Sequence, residues 1–167
     1  LARVRQSQGL IDAALELTET AESIAAASST TRLDDRLVAA SKARLRIVQG
    51  QVDQAADWAQ ATIAASTGEP PSPPASVADY NLYEAEHVIL ARFALTEGQP
   101  TEALAVLEPM RETAERLGRS HRLIELLALE ALALDALGRS DAARRILRRA
   151  LTLAEPEGYV RTILDQG

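Results

Sequence analysis

Apolar residues recur along this chain at steps of three and four, which is the spacing of one face of an α-helix and not of a strand. In the second half of the chain these positions are Ala103, Val106, Leu107, Met110, Ala114 and Leu117, and then Ala143, Ile146, Leu147, Ala150, Leu151 and Ala154. The pattern predicts helices over residues 1–8, 11–27, 33–49, 53–66, 79–97, 101–117, 120–137 and 140–154.

Four glycines stand where these helical patterns end, at Gly9, Gly50, Gly98 and Gly138, separated by 41, 48 and 40 residues. Five residues after each glycine is an alanine: Ala14, Ala55, Ala103 and Ala143. Seven residues before each glycine is another: Ala2, Ala43, Ala91 and Ala131. Three residues after each is a residue typical of a helix N-cap: Asp12, Asp53, Thr101 and Asp141. These columns predict a repeated unit of helix, glycine turn and capped second helix.

The two alanine columns lie on opposite helices of each unit, where small side chains let the helices approach closely. We therefore predict an all-α, right-handed superhelix of about four antiparallel helix pairs, a tetratricopeptide-like solenoid, forming one domain over residues 1–167. Its repeats are predicted at residues 1–28, 31–66, 79–117 and 120–154, with the start of a further helix at 159–167. A HEAT-like scaffold also fits repeats of ~40 residues, but the glycine turns and paired alanines favour the tetratricopeptide arrangement.

Prolines interrupt the pattern in the segment 68–74, which reads Gly-Glu-Pro-Pro-Ser-Pro-Pro and cannot be helical. We interpret it as a surface loop between the second and third repeats, with an extended polyproline docking segment as the alternative. A further proline, Pro109, falls within a predicted helix and is expected to kink that helix or to start it again.

Composition narrows the class of protein. The chain is 47% hydrophobic but only 3% aromatic, so its core must consist of aliphatic side chains. Its net charge of −6 argues against direct binding of nucleic acid, which requires clustered positive charge. The absence of cysteine excludes disulfides and cysteine-based zinc sites. No uncharged apolar stretch reaches ~18 residues and no signal peptide is evident, so we expect a cytoplasmic protein without membrane contact.

The last segment carries a resemblance to a known family. Residues 150–161 read Ala-Leu-Thr-Leu-Ala-Glu-Pro-Glu-Gly-Tyr-Val-Arg, and Leu164, Asp165, Gln166 and Gly167 follow. This segment is similar to the last repeats of the large ATP-dependent LuxR-type transcriptional activators, the group that includes the bacterial maltose-regulon activator. Residues 104–109 and 131–138 also resemble those repeats.

The resemblance implies a function. In that family a nucleotide-binding module precedes a superhelical repeat region, and a helix-turn-helix DNA-binding domain follows it. The repeat region senses an inducer or a regulatory partner and contacts the neighbouring domains of the chain. This sequence has no GxxxxGK[ST] loop, so we expect only the sensor region, as an excerpt of a longer chain. The alternative is a generic tetratricopeptide adaptor for protein–protein contacts, unrelated to transcription.

An arginine column suggests where a ligand would bind. Arg3, Arg44 and Arg92 each lie six residues before a glycine, just after the small residue of the first helix, on the side expected to line the concave groove. Stacking the repeats would bring them into one ladder, suited to carboxylate or phosphate groups. The alternative is a solvated or salt-bridged face, with Glu84 or Glu86 as partners.

A second candidate ligand surface is the stripe of Tyr80, Tyr83 and His87, spaced at about one helical turn. The alternative is a helix face packed against the proline segment. Glu84 and His87 alone do not make a metal site, and no catalytic constellation is visible, so we expect no enzyme, no metal and no cofactor in this segment. The proposed ligand-binding residues are thus Arg3, Arg44, Arg92, Tyr83 and His87.

Two further surfaces bear on partners. Arginines opposite the apolar face of the last helix suggest a solvated outer face, with a site for membranes or acidic partners as the alternative: Arg144, Arg145, Arg148 and Arg149. Both ends of a solenoid without polar capping repeats expose apolar surface. We therefore expect self-association through the ends of the isolated chain.

Overall fold

The computed structural model describes residues 10–27, 32–65 and 77–155. Within these ranges the chain forms seven helices and no strand. The helices are α1 (Ile11–Ala27), α2 (Arg32–Val48), α3 (Val52–Ala65), α4 (Val77–Thr96), α5 (Pro100–Arg116), α6 (Ser120–Ala136) and α7 (Ser140–Ala154). Each begins and ends within two residues of its predicted bounds, and the predicted all-α fold class is confirmed. The helices predicted at 1–8 and 159–167 and the proline segment lie outside the described residues.

Glycine turns connect consecutive helices, as the columns predict. Gly50, Gly98 and Gly138 have φ of +75°, +70° and +72°, a left-handed conformation that costs glycine little. At Gly138 the glycine N–H donates to the Asp135 carbonyl at 2.8 Å, and the next N–H donates to the Leu134 carbonyl at 2.9 Å. This pair of hydrogen bonds is a Schellman motif, and it satisfies carbonyls that the end of the helix leaves free.

One glycine turn is not among the aligned glycines of the sequence analysis. Gly118 also has a positive φ of +65°, and it lies midway between Gly98 and Gly138. Its N–H donates to the Glu115 carbonyl and that of Arg119 to the Ala114 carbonyl, so the motif is the same. In this part of the chain a glycine therefore ends every helix, at intervals of 20 residues, and not every second helix.

The predicted helix caps are wrong at the two positions where the cap geometry is described. Helices α5 and α7 have Gln99 and Arg139 as N-caps, without a side-chain cap hydrogen bond. The next helix begins two residues after the glycine, so Thr101 and Asp141 lie inside the first turn and cannot cap it. An acidic residue there is still favourable, because it faces the positive end of the helix dipole.

The chain divides into two compact units, Leu1–Ile89 and Leu90–Gly167, with the boundary inside α4. In the first unit α2 packs against both α1 and α3, and in the second α6 packs against both α5 and α7. Every described member of the two alanine columns is buried: Ala14, Ala43, Ala55, Ala91, Ala103, Ala131 and Ala143. The small residues are therefore buried, as a close approach of the helices requires. Larger side chains fill the second unit's core, among them Leu107, Ile124, Leu126, Leu127 and Leu129.

Helix α5 runs from Pro100 to Arg116 without ending at Pro109, so the expectation that the helix starts again there is wrong. Pro109 is exposed, whereas Leu107 and Met110 on either side of it are buried. The missing backbone N–H removes one hydrogen bond from the helix. The packing of the buried face holds the two halves of α5 in one helix.

Candidate functional site

The three arginines of the predicted ladder have different surroundings. Arg3 lies outside the described residues, and Arg44 is half-buried on α2 in the first unit. Arg92 lies on the part of α4 that belongs to the second unit, where it is buried to 7% exposure. A side chain this deeply buried needs a compensating charge within the protein.

Glu125 of α6 supplies that charge. Its Oε1 lies 3.5 Å from Nη2 of Arg92, and its other carboxylate oxygen accepts a hydrogen bond from Arg122 one turn earlier. The Glu125 side chain is only 4% exposed. Arg92 therefore forms a salt bridge, which was the alternative to ligand binding. Its partner Glu125 lies on a different helix from the expected partners Glu84 and Glu86. Two guanidinium groups around one buried carboxylate join α4 to α6 within the second unit.

The aromatic stripe on α4 is brought together as predicted. The rings of Tyr83 and His87 have their centroids 3.8 Å apart with an interplanar angle of 34°. Tyr80 and Tyr83 stack at 6.5 Å. All three side chains are half-buried, so each keeps part of its ring open to solvent. The alternative, packing against the proline segment, concerns residues outside the described ranges.

The protonation of this stripe follows from its burial. Burial lowers the pKa of His87, and this effect outweighs the hydrogen bond to the Tyr83 carbonyl and the nearby Glu86 charge, which both raise it. The ring is therefore neutral at neutral pH, with Nδ1–H donating to the Tyr83 carbonyl at 2.8 Å and Nε2 left as an acceptor. Burial also raises the pKa of Tyr83, so its hydroxyl stays protonated. The stripe is an uncharged surface with hydrogen-bonding capacity.

An ion pair borders the stripe in the first unit. Arg36 of α2 donates from Nε and Nη2 to the two carboxylate oxygens of Glu86 on α4, at 3.0 and 2.6 Å. The Glu86 side chain is 4% exposed, whereas that of Arg36 is 53% exposed. The Arg36 charge lies close enough to contribute to the lowered pKa of His87. This bidentate contact fixes α4 against α2 and leaves a partly exposed guanidinium whose charge acts on His87.

Sequence reasoning missed Arg36, because it lies 50 residues from Glu86 and no periodicity connects the two. The surface of Tyr80, Tyr83, His87 and Arg36, which we call the α4 aromatic surface, combines flat rings, a neutral imidazole and one cation. Such groups could bind a ligand reversibly. Among the residues that the structure describes, no group of three or more acidic or histidine side chains could hold a metal ion. None of the described helices is long and apolar enough to cross a membrane.

Comparison with known proteins gives one match. A family model described as the MalT-like TPR region matches residues 1–167, which is the whole chain. No curated protein and no solved structure matches. The match covers both compact units. The matched residues therefore include those of the aromatic surface in the first unit and of the Arg92–Glu125–Arg122 cluster in the second.

Proposed function

The chain belongs to the family of MalT-like TPR regions, and on this premise we propose that it is the sensor domain of a LuxR-type, ATP-dependent transcriptional regulator. The family match over the whole chain is the observation that carries the proposal. The domain binds a small-molecule inducer or a regulatory protein in the cytoplasm, contacts the neighbouring domains of its own chain, and thereby controls activation of the regulator. Binding can act only through a difference in affinity between two states of the regulator.

The α4 aromatic surface is the place where we expect the ligand to bind. Tyr83 and His87 provide flat, half-buried rings without charge, and Arg36 provides a cation that is already oriented by Glu86. A ligand with a flat or apolar face and an anionic or hydrogen-bonding group matches these side chains. Arg44, and Arg3 outside the described residues, stay predicted contacts. Arg92 is proposed to act by holding α4 against α6, because its guanidinium is directed to Glu125.

Thermal unfolding with a panel of sugars, nucleotides and acidic metabolites tests this function. A ligand at about one hundred times its dissociation constant stabilises the folded state by about 2.7 kcal/mol, which raises the midpoint by about 5–10 °C in a domain of this size. We expect at least one class in the panel to give such a shift. If no class shifts the midpoint, and full-length activation also proceeds without the domain, the sensor function is wrong.

Variants then locate the site. Tyr83→Ala and His87→Ala should abolish the ligand-induced shift, measured against the midpoint of each variant alone. Tyr83→Phe, which keeps the ring, should retain most of it. Arg144→Ala, on the exposed face of α7, is the matched control that should leave the shift unchanged. If the ligand-induced shift is unchanged in Tyr83→Ala and His87→Ala, the ligand binds elsewhere than at α4. The proposed function would not be affected.

A further inference from the structure

The second helix of each pair carries a charge that changes sign along the chain. Helix α1 has four acidic residues and no basic one, and α3 has two acidic residues and no basic one. Helix α5 has four acidic and two basic residues. Helix α7 has four arginines and a single aspartate. Among the second helices that the structure describes, α7 is therefore the one with a net positive charge, whereas α2, a first helix, has five basic and two acidic residues.

The arginines of α7 face solvent. All four are exposed, whereas Ala143, Ala150 and Ala154 on the other side of the helix are buried. An open depression of about 350 Å³ follows this outer face and is lined by Arg145, Arg148, Arg149, Thr152 and Leu153. The depression gives an incoming side chain room between the guanidinium groups.

Two of these arginines are already paired and two are not. Arg149 contacts Glu115 of α5 at 2.8 Å, and Arg144 contacts Asp141 at 2.7 Å. Arg145 and Arg148 form no ion pair with any residue in the described ranges. They lie three positions apart and both line the depression. Their charges are therefore available to an acidic partner.

Helix α1 presents the complementary pattern. Glu22 pairs with Lys42 at 2.6 Å, and Asp12 accepts a hydrogen bond from Gln49. Glu16 and Glu19 are exposed, lie three positions apart, and form no ion pair within the part of the chain that the structure describes. The spacing of these two carboxylates along a helix equals the spacing of the two arginines on α7.

We propose that the basic face of α7 in one molecule binds the acidic face of α1 in a second copy of the same chain, through Arg145 and Arg148 of the first and Glu16 and Glu19 of the second. The contact joins two different surfaces, the basic face of α7 in one molecule and the acidic face of α1 in the other. Opposite charges at matched spacing on two exposed helices are the observation that carries it. The contact is independent of the α4 aromatic surface.

Sedimentation velocity of the 167-residue chain over a range of concentrations tests the proposal. At about 20 mM salt we expect the sedimentation coefficient to rise with concentration. At about 0.5 M salt the association should weaken by about tenfold or more, because salt shortens the range of interaction between exposed charges. A chain that stays monomeric at low salt and high concentration overturns the proposal.

Charge reversal identifies the contact. Arg145→Glu with Arg148→Glu should abolish the association, and so should Glu16→Arg with Glu19→Arg. The matched control is Arg116→Glu with Arg139→Glu, which changes the net charge of the chain by the same amount at exposed positions outside the depression. The control should keep self-association. Association that survives both reversals would assign it to other surfaces, such as the apolar ends, and the proposal would be wrong.

Mixing the two reversed variants gives the decisive result. Each alone presents like charges across the contact. In the mixture the unchanged basic α7 of one variant meets the unchanged acidic α1 of the other, and the two reversed helices also carry opposite charges. An equimolar mixture should therefore associate although neither component does so alone. If the wild-type chain associates and the mixture does not, the pairing of α7 with α1 is excluded. Circular dichroism of each variant shows that the helices are retained.

Discussion

Helices α6 and α7 start from the same local sequence and reach very different environments. Gly-Arg-Ser leads into both, at residues 118–120 and 138–140, and both follow a Schellman turn without a side-chain cap. Yet ten of the 17 residues of α6 are buried, against three of the 15 residues of α7. Helix α6 packs against both α5 and α7. The turn sequence thus determines where a helix starts, and its neighbours determine how much of it is buried.

The largest difference between the two helices should appear when an acidic residue is removed. Glu125→Ala in α6 removes the buried carboxylate that pairs with Arg92 and Arg122, so we expect a loss of about 3–5 kcal/mol in the free energy of unfolding. Asp141→Ala in α7 removes an exposed ion pair with Arg144 and should cost less than about 1 kcal/mol. Urea denaturation measures both. Similar losses would show that α6 is not the better-buried helix in solution.

Leucine truncation gives the next difference. Leu127 of α6 is fully buried, and Leu127→Ala should cost about 2–5 kcal/mol because it leaves a cavity. Leu151 of α7 is 44% exposed, and Leu151→Ala should cost about 1 kcal/mol or less. Thermal or chemical denaturation distinguishes the two. A large loss at Leu151 would mean that another segment covers this part of α7 in solution.

The two turns, in contrast, should respond alike. Gly118→Ala and Gly138→Ala each place a side chain in a left-handed conformation, with open space around the added carbon. Each should cost about 1–2 kcal/mol from backbone strain alone. Because the turns are the same, we expect the two losses to agree closely although the helices that follow differ in burial. Denaturation measures the two losses in the free energy of unfolding. Clearly unequal losses would show that the packing of the following helix also contributes to the cost of the substitution.

The smallest effect concerns two carboxylates that share one arginine. Arg111 lies 3.2 Å from both Glu115 and Glu130. Burial raises the pKa of Glu130 on α6, and the Arg111 charge only partly offsets this. Desolvation also acts to raise the pKa of Glu115, but hydrogen bonds from Arg149 and Arg111 outweigh it and the pKa is lowered. Glu115 accepts hydrogen bonds from two arginines and its side chain is 31% exposed, whereas that of Glu130 is 17% exposed, and these differences account for the opposite directions.

These directions predict the pH dependence of stability. A raised pKa means that Glu130 binds its proton more tightly in the folded chain, so its contribution is present at low pH and is lost as pH rises through the raised value. Glu115 contributes in the opposite sense, because its stabilisation is lost as pH falls through the lowered value. Glu130→Gln should therefore gain stability relative to the wild type between about pH 4 and about pH 7, by up to about 1.4 kcal/mol per unit of pKa shift. Urea titrations at both pH values measure the free energy of unfolding of the variant and of the wild type. A difference between the two proteins that does not change with pH would contradict the prediction.

Much of the fold could be predicted because its signals are local. Apolar periodicity and glycine turns placed all seven described helices within two residues, and the alanine columns identified residues that are buried. Gly118 was missed because the alignment assumed one glycine for each pair of helices. The caps were misplaced because the Schellman turn leaves only one residue between the glycine and the next helix.

The candidate site could be predicted only where its residues share a helix. Tyr83 and His87 are one turn apart, so their contact follows from helical geometry. Arg36 and Glu86 are 50 residues apart, and Arg92 and Glu125 are 33 apart, so their pairing depends on the packing of separate helices. The arginine column identified Arg92 as a candidate ligand contact. It did not show that burial would commit Arg92 to an internal partner.

The glycine turns also restrict how this chain can change in length. Three residues separate each pair of helices joined by a turn, as at 97–99, 117–119 and 137–139. Adding or removing one residue there would rotate the following helix by about 100°, which turns part of its buried face towards solvent. Natural variants should therefore lengthen or shorten this part of the protein in whole helix pairs, which are 40 residues long between Gly98 and Gly138. The regular spacing of the glycines therefore limits gene duplication in this part of the protein to whole repeats.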